Sequence, residues 1–378
     1  MKVLHLFSDW RWTGPAEPVV MLCKKLAERG INITLACRTP PIEHPQNLVN
    51  KALERDITVT TQLFLNRYFS PRENLVDMIR LPQYLVHEEF DLLHTHLSHD
   101  HFLGAMALMF SGRKRPPRLL RTNHKGIPLA HKLWNRFFLS HFTHHLITIS
   151  RQALQGDQQN FGLKPNQVSL VYSGIDPQRF QPRARNPLFA SSLGLKEGDL
   201  VLGIVARMQR RRRFPQFLEA ISLVIKDIPE LKILIIGRGT HASEVKDKAR
   251  ALGIMDNVIF TGYRDNDYQD VLACMDAKAY LVPGSDGSCR AVMEAMVMGK
   301  PVVASGRGVL PELVEDGVTG YVVQDDIPEN LAKAIVMLFK DSKQRQEMGQ
   351  AARQRILQHF SLDRQADKVL EIYQKVLR

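Results

Sequence analysis

The chain has 378 residues and carries 51 lysines and arginines against 39 aspartates and glutamates, a formal net charge of +12. Hydrophobic residues make up 44% and charged residues 24%, which is ordinary for a soluble folded protein and argues against a disordered, collagen-like or coiled-coil chain. The length suggests two domains. Four cysteines without a Cys-x-x-Cys spacing argue against a disulfide framework or a zinc site, and they fit a reducing compartment.

Short apolar segments alternate with longer amphipathic ones from the start of the chain. An apolar strand is predicted at residues 3–7 and a helix at residues 16–29. Further strands of the first half are predicted at residues 31–36, 91–94, 119–122, 144–149 and 168–171. Continuous apolar runs that alternate with helices are typical of a parallel sheet covered on both faces.

Residues 176–198 interrupt this alternation with three prolines and little periodicity, which predicts a linker. Strands of a second series are predicted at residues 200–205, 231–236, 258–260, 279–282 and 301–304. Residues 328–378 are helical in pattern. The sequence therefore predicts an α/β fold with two Rossmann-like, doubly wound parallel-sheet domains at about 1–180 and 181–355. They would face a central cleft, because ligands of such sheets bind beyond the carboxyl ends of the strands.

A glycine- and serine-rich loop follows the strand predicted at 279–282, and a helix is predicted to begin near Cys289 or Arg290. Backbone N–H groups at such a helix start form an anion site suited to a pyrophosphate. Glu294, in the second turn of this helix, could accept hydrogen bonds from ribose hydroxyls. Asp286 lies in the loop, close to whatever the phosphates carry. The alternative is an ordinary loop whose acids are solvated.

Five arginines fall within residues 207–213. A strand delivers Arg207 at its carboxyl end and Arg212 follows, so two guanidinium groups could clamp a diphosphate. A solvated charge run or a nucleic-acid patch is the alternative, but no recognised nucleic-acid motif accompanies the run and we expect no nucleic-acid partner. The glycine turn at 236–239 is a weak signal alone. No G-x-G-x-x-G follows the first strand, which argues against a dinucleotide oxidoreductase.

Histidines follow two of the predicted strands: His94 and His96 come after one and His124 after another. These positions favour contacts with a substrate. A metal site is the alternative, but neither an H-E-x-x-H motif nor a Cys/His ligand set is present, and we expect no metal.

Residues 101–150 contain eight lysines and arginines, six histidines and no acidic residue. Within them, the aromatic and basic segment 126–142, with Leu129, Leu133 and Phe137 at helical spacing, fits a helix lying on an anionic membrane. The alternative is a helix that packs its apolar side on its own sheet. No apolar run reaches the ~18 residues of a membrane span, and residues 1–8 lack a signal-peptide pattern. We expect a cytoplasmic protein with peripheral contact to the inner face of the cytoplasmic membrane.

Taken together, these stretches resemble the retaining nucleotide-sugar glycosyltransferases of the GT-B fold, glycosyltransferase family 4. Residues 286–304 are similar to the family's E-x7-E segment and the strand after it, and residues 205–207 match the donor-phosphate arginine. Other matching stretches are residues 12–17 (the N-terminal glycine-rich loop), 172–176 (the turn before the linker), 311–314 and 317–321.

The resemblance implies transfer of a hexosyl or related unit from a nucleotide-diphosphate sugar to a hydroxyl, with retained anomeric configuration and no metal or other cofactor. It implies an acceptor-binding first domain, a donor-binding second domain, and a C-terminal helix at 356–378 that packs back on the first domain. The implied catalytic residues are Arg207, Arg212, Asp286 and His124. The implied donor-binding residues are Gly14, Arg207, Arg212, Gly237, Gly262, Tyr263, Asp286, Gly287, Ser288, Cys289, Arg290 and Glu294. The implied acceptor-binding residues are His94, His96, His124 and Lys125.

Four positions depart from the family pattern. Asp286 stands where the family has glutamate, and Arg212 where it has lysine, so phosphate would meet a fork rather than a point charge. Arg213 replaces a glycine, and Gly14-Pro15 replaces a pair of glycines. We expect a UDP-sugar as donor, with GDP- or ADP-sugars as alternatives. The expected acceptor is a glycolipid, a lipopolysaccharide-type molecule or another cell-envelope glycan. Alternatives are a small soluble acceptor, or a non-catalytic protein that binds a nucleotide sugar or nucleic acid.

Overall fold

The computed structural model describes residues 1–44, 46–112, 116–283, 287–325 and 327–378. The chain divides into two compact units. The described residues of the first unit are Met1–Gly174, residues 287 and 288, and Leu362–Arg378. Those of the second are residues 175–283 and Cys289–Ser361. The first continuous segment of the first unit thus ends at Gly174, a few residues before the predicted boundary at 180, and its last segment begins at Leu362, where the prediction had 356.

The first unit is built on a parallel sheet. Its strands are β1 (Lys2–Phe7), β2 (Asn32–Cys37), β3 (Thr58–Thr60), β4 (Leu92–Thr95), β5 (Arg118–Asn123), β6 (Thr143–Thr148) and β7 (Val168–Leu170). They pair in the order β3-β2-β1-β4-β5-β6-β7. The helices between them are α1 (Ala16–Ala27), α2 (Leu48–Leu53), α3 (Pro71–His87), α4 (Ser98–Phe110), α5 (Leu133–His141) and α6 (Arg151–Phe161).

The second unit has the same kind of architecture. Its strands are β8 (Val201–Val205), β9 (Lys232–Ile236), β10 (Val258–Gly262), β11 (Ala277–Tyr280), β12 (Val302–Ser305) and β13 (Gly320–Val323), in the order β10-β9-β8-β11-β12-β13. Its helices are α7 (Pro187–Ser192), α8 (Phe214–Asp227), α9 (Ala242–Ala251), α10 (Tyr268–Ala273), α11 (Arg290–Val297), α12 (Leu310–Leu313), α13 (Pro328–Lys340) and α14 (Ser342–His359). Short 3₁₀ turns occupy Arg210–Arg212 and Met255–Asn257.

The last helix, α15 (Leu362–Leu377), belongs to the first unit and packs against α1. Ala366, Val369 and Tyr373 recur at helical spacing and are all buried in the same core as α1. Burial of a large apolar side chain stabilises a fold by roughly 1.5–3 kcal/mol. This stripe therefore holds α15 on the first unit and carries the Tyr373 hydroxyl into its interior.

The predicted α/β class with two doubly wound parallel sheets is confirmed, and the predicted strands are present to within two residues at most ends. Two strands escaped prediction, β3 and β13, and both lie at an edge of their sheet. β3, Thr-Val-Thr, lacks the continuous apolar run of a central strand, and β13 has only four residues, two of them partly exposed. Helix α7 lies inside the segment predicted as a linker.

Candidate functional site

Strand register in the first unit brings four histidines together. His5 of β1 pairs directly with His94 of β4, and His96 and His124 follow the carboxyl ends of β4 and β5. Parallel strands end at one edge of a sheet, so these side chains meet there. His5 was not predicted as a site residue because it sits inside an apolar strand.

These histidines are linked side chain to side chain. His94 Nε2 lies 2.7 Å from Thr122 Oγ1, and His94 Nδ1 lies 2.6 Å from the Tyr373 hydroxyl. The same hydroxyl is 3.2 Å from His5 Nε2. His5 Nδ1 is 2.9 Å from His96 Nε2, and His96 Nδ1 is 3.0 Å from His124 Nε2. We call this set the histidine chain; its members in order are Thr122, His94, Tyr373, His5, His96 and His124.

Burial keeps the rings of the histidine chain uncharged. It lowers the pKa of His5 to about 3 and that of His124 to about 4. It also lowers the pKa of His94 and His96 well below the usual value. Ring nitrogens of His5, His94 and His96 lie within 4.8 Å of one another, a grouping that could hold a metal ion. In the hydrogen-bonded arrangement each of those nitrogens already has a partner.

The predicted acceptor contacts need correction for two residues. The side chains of His94 and His96 are buried, and both nitrogens of each ring are engaged within the histidine chain. Neither ring has an atom left for a substrate. His124 Nδ1, by contrast, is buried and has no hydrogen-bond partner among the described residues, and Lys125 is exposed.

Gly287 packs against the backbone that follows β5. Its N–H donates to the carbonyl of His124 over 2.9 Å. A Cβ on Gly287 would lie 2.1 Å from the Lys125 carbonyl carbon, so only glycine permits this approach. Asp286 itself lies outside the described residues. Gly14 is exposed in the turn before α1, and its predicted donor contact stays a prediction.

In the second unit the arginine run follows β8. Arg207 is exposed, whereas Arg212 is buried and donates from Nη1 to the Val282 carbonyl over 2.6 Å, with the Tyr280 hydroxyl 3.4 Å away. Arg212 Nε has no partner among the described residues. The guanidinium is therefore held by the chain that continues from β11, with donor capacity remaining, as a phosphate ligand requires.

The backbone conformation at Arg213 shows why the family has glycine at this position. Its backbone has φ +60°, the left-handed region, and it immediately precedes α8. Glycine adopts this conformation without steric strain, which is the physical reason for glycine at that position in the family. Arg210 and Arg211 are exposed, as expected for the solvated part of the run.

The glycine turn after β9 braces the segment that carries Arg207. A Cβ on Gly237, which has φ +139°, would lie 2.3 Å from the Ala206 carbonyl oxygen, and one on Gly239 would lie 2.1 Å from that of Met208. The glycines predicted to form a turn at 236–239 therefore allow the backbone after β9 to lie close to the backbone after β8. The Gly237 N–H donates to the Gly262 carbonyl over 2.8 Å.

Tyr263, predicted near the nucleotide base, is 62% exposed beside this turn. The Arg238 guanidinium lies 5.2 Å from the centre of its ring. An exposed aromatic face stacked on a cation offers a surface on which a base can stack.

Glu294 lies in the second turn of α11, as predicted, but it is buried and oriented by two donors. Arg290 Nε is 3.1 Å from Oε1, and the Tyr268 hydroxyl donates to Oε2 over 2.9 Å. Burial and the adjacent carboxylate raise the pKa of Tyr268 well above its usual value, so the hydroxyl keeps its proton. Tyr268 was missed because it lies on α10, without a motif linking it to Glu294.

The residues before α11 are also enclosed. Ser288 and Cys289 are buried, and Cys289 has φ +53° directly before the helix. Beneath the helix, Lys278 of β11 is fully buried and donates from Nζ to the Ala291 carbonyl over 2.6 Å. Burial lowers its pKa to about 7, against a smaller opposing influence of Glu294. No motif pointed to Lys278, because a lysine inside a short strand is ordinarily read as an interruption.

Helix α5 exposes three large apolar side chains on one face. It begins at Leu133, later than the segment predicted from 126, and buries Asn135, Phe138 and Leu139. Leu133, Trp134 and Phe137 are 85%, 58% and 47% exposed and form what we call the aromatic patch. Exposed Lys132 and Arg136 lie beside it, with Lys132 Nζ 4.8 Å from the Trp134 ring centre. Among the described residues, no helix has the length and apolar character to span a bilayer.

Two Rossmann-like parallel-sheet units, with a basic strand end and the Glu294 carboxylate in the second, match the architecture of the GT-B class of glycosyltransferases. Residues 13–179 match the sequence model of Glycosyltransferase Family 4, and residues 187–355 match that of Glycosyl transferases group 1. The two matches adjoin and span most of the chain. The chain belongs to this family.

Two curated relatives and one solved structure illustrate the likeness. A UDP-Gal:alpha-D-GlcNAc-diphosphoundecaprenol alpha-1,3-galactosyltransferase of Escherichia coli is 24% identical, over 82% of this chain and 81% of the relative. A lipopolysaccharide core biosynthesis mannosyltransferase, LpsB of Rhizobium meliloti, is 23% identical over 66% and 70%. The structure of Anabaena Alr3699/HepE in complex with UDP and glucose superimposes with a TM-score of 0.80 at 19% identity, over 99% of this chain and all of that one.

Proposed function

We propose that this glycosyltransferase moves a hexosyl unit from a UDP-sugar to a hydroxyl of a lipid-linked or lipopolysaccharide-type acceptor, with retained configuration and without a metal ion. The observation that carries the donor assignment is the pair Arg207 and Arg212 after β8. Arg207 is exposed, and Arg212 is anchored by its Nη1 while its Nε has no partner among the described residues. The UDP complex of the similar HepE structure supports a uridine nucleotide, and the names of the two curated relatives support a cell-envelope acceptor.

In the proposed reaction the acceptor hydroxyl approaches the anomeric carbon on the face from which the diphosphate departs. The bond between the anomeric carbon and the phosphate oxygen breaks, and a bond to the acceptor oxygen forms. The departing phosphate oxygen takes the acceptor's proton. Negative charge therefore grows on the diphosphate, and two guanidinium groups fixed beforehand stabilise it without reorganisation. Other transferases obtain this charge compensation from a bound metal ion.

The remaining roles follow from chemistry and position. Glu294, held by Arg290 and the Tyr268 hydroxyl, keeps acceptor capacity for the two ribose hydroxyls. The exposed Tyr263 ring offers a stacking surface to the uracil base. Asp286 would bind hydroxyls of the transferred sugar, and His124 would contact the sugar nucleotide through Nδ1.

A thermal-shift series with UDP, GDP and ADP tests the donor assignment. A ligand that binds only the folded protein stabilises it by RT ln(1 + [L]/Kd), which is about 2.7 kcal/mol at a hundredfold excess over Kd. We expect UDP to raise the melting temperature and GDP and ADP to do so much less. A larger response to GDP or ADP would replace the uridine assignment, and no response to any nucleotide would count against the function.

We further propose that the aromatic patch docks on an anionic membrane, bringing the acceptor-binding unit to its substrate. Leu133, Trp134 and Phe137 expose apolar area that water does not favour, and Lys132 and Arg136 supply the positive charge that attracts anionic headgroups. Each basic residue near such a surface contributes about 1 kcal/mol, an attraction that salt screens.

Co-sedimentation with phosphatidylglycerol vesicles tests this docking. We expect binding at low salt, little binding to phosphatidylcholine vesicles, and at least about a tenfold weaker affinity for the double variant Trp134→Ser/Phe137→Ser, since each ring loses apolar burial. The matched control is Tyr68→Ser/Phe69→Ser, which removes two exposed aromatics elsewhere on the first unit. Equal binding by both double variants would remove α5 from the docking surface.

A further inference from the structure

The histidine chain ends on one unused atom. Its first member is Thr122 and its last is His124, whose Nδ1 is buried without a partner among the described residues. All intervening nitrogens and the Tyr373 hydroxyl are engaged on both sides. Burying a polar atom without a partner is unfavourable, so this atom is a candidate for a contact with a ligand.

A count of the protons leaves two hydrogen-bonding states for the histidine chain, which differ in the direction of donation. Each neutral imidazole carries one ring proton and each hydroxyl carries one, so every hydrogen bond must point the same way along the chain. In one state Thr122 donates to His94 and the direction runs through to an Nδ1–H on His124. In the other, His124 donates from Nε2 and the direction runs back to Thr122.

Thr122 selects the first state. Its hydroxyl oxygen is buried, and among the described residues its side-chain partner is His94 Nε2. In the reverse direction this hydroxyl would accept from His94 and its own proton would be left without an acceptor, which is unfavourable in a buried site. The favoured state gives all four histidines the Nδ1–H form, although neutral histidine in water prefers Nε2–H.

We propose that Tyr373, on the C-terminal helix, is a positioning residue that, through His5 and His96, holds His124 as an Nδ1–H donor to an oxygen of the sugar nucleotide. Tyr373 is the one member of the histidine chain that lies outside the strands and strand ends. Its hydroxyl accepts from His94 and donates to His5, so it preserves the direction of donation along the histidine chain. The role of His124 toward substrate rests on the proposed function, whereas the direction of the chain does not.

Nitrogen-15 NMR of the free protein, with histidines assigned by single His→Gln variants, reads the tautomers without any assay. We expect the Nδ1–H form for His5, His94, His96 and His124. Tyr373→Phe keeps the ring that packs on α1 but removes the hydroxyl that links His94 to His5. The tautomers of His5, His96 and His124 should therefore shift toward the Nε2–H form. Thr122→Val should do the same from the other end, and Thr122→Ser should restore the wild-type signals.

Steady-state kinetics of sugar transfer then test whether the tautomer of His124 affects catalysis. We expect Tyr373→Phe and Thr122→Val to lower kcat about tenfold or more with KM for the nucleotide sugar changed less than twofold, because a wrong tautomer removes a donor at the reacting group. Thr122→Ser should recover kcat. The control is Tyr84→Phe, which removes a half-buried hydroxyl of the same unit that contacts Thr60.

Unchanged tautomers in Tyr373→Phe, or shifted tautomers with wild-type kcat, would overturn the proposal. So would a stoichiometric metal ion in the purified protein that exchanges the ring protons for coordination. If the wild type transfers no sugar at all, the proposed function fails, while the NMR result still decides the direction of the histidine chain.

Discussion

Arg207→Ala is expected to lower kcat/KM for the nucleotide sugar by about 10²–10³-fold while leaving the melting temperature unchanged. Arg207 is exposed and forms no ion pair with a described residue, so its removal takes nothing from the fold. The proposed contact with the diphosphate strengthens as the glycosidic bond breaks, and losing one such preorganised donor costs about that factor. Initial-rate measurements of UDP release, with thermal unfolding of the same preparations, provide both readouts.

The matched control is Arg211→Ala, which removes the same charge four residues later. Arg211 is exposed, and its Nε donates to the Gln209 side-chain oxygen over 3.3 Å. It should keep kcat/KM within about twofold, since an isolated exposed charge contributes little. If both variants lose activity equally, the run acts as a diffuse positive field, and the two-arginine clamp is wrong.

The sequence predicted the central strands and the residues at their ends well, for a simple reason. A strand buried on both faces must be apolar throughout, and the residue after it is placed at the ligand edge of the sheet. That rule brought Arg207, His96 and His124 to strand ends in the structure. The rule does not apply to the edge strands β3 and β13, each of which pairs with a single neighbouring strand.

Side-chain partners across long sequence separations were beyond prediction. Tyr373 meets His94 from 279 positions away, because α15 returns to the first unit and buries one face there. Tyr268 reaches Glu294 because α10 and α11 belong to one unit, and no spacing rule links them. For α5, helical spacing grouped Leu133 with Phe137, but the neighbouring elements decide which face is buried, and they bury the other one.

Lys278 carries the second large expected effect, on stability. Its folded-state pKa of about 7 lies well below the ordinary value of 10.5, since burial in β11 disfavours the charged form. Between pH 7 and pH 10.5 the unfolded chain therefore binds more protons than the folded protein at this site, approaching one full proton in the middle of that range. Unfolding free energy rises with pH wherever that holds, by up to about 1.4 kcal/mol per pH unit for one proton.

Lys278→Met should accordingly be more stable than the wild type at pH 7, and this advantage should shrink as the pH rises to 9, with a slope that approaches about 1.4 kcal/mol per pH unit above pH 8. Methionine fills the same volume without a charge to desolvate. The substitution also removes the hydrogen bond to Ala291, an offset that does not vary with pH. Urea unfolding of both proteins at pH 7, 8 and 9 gives the difference directly, and Lys226→Met, on the exposed side of α8, controls for loss of one positive charge.

A difference that stays constant from pH 7 to 9 would show that Lys278 titrates normally and that water reaches it. The sloping difference has a consequence for the site, because Lys278 donates to the Ala291 carbonyl of α11 and is close enough to the Glu294 carboxylate to interact with it electrostatically. A lysine that is half protonated near neutral pH changes the charge under the proposed ribose ligand within the physiological range. Nucleotide affinity of the wild type should therefore vary between pH 6 and 8 in a way that Lys278→Met abolishes, while the exposed-lysine control keeps the variation.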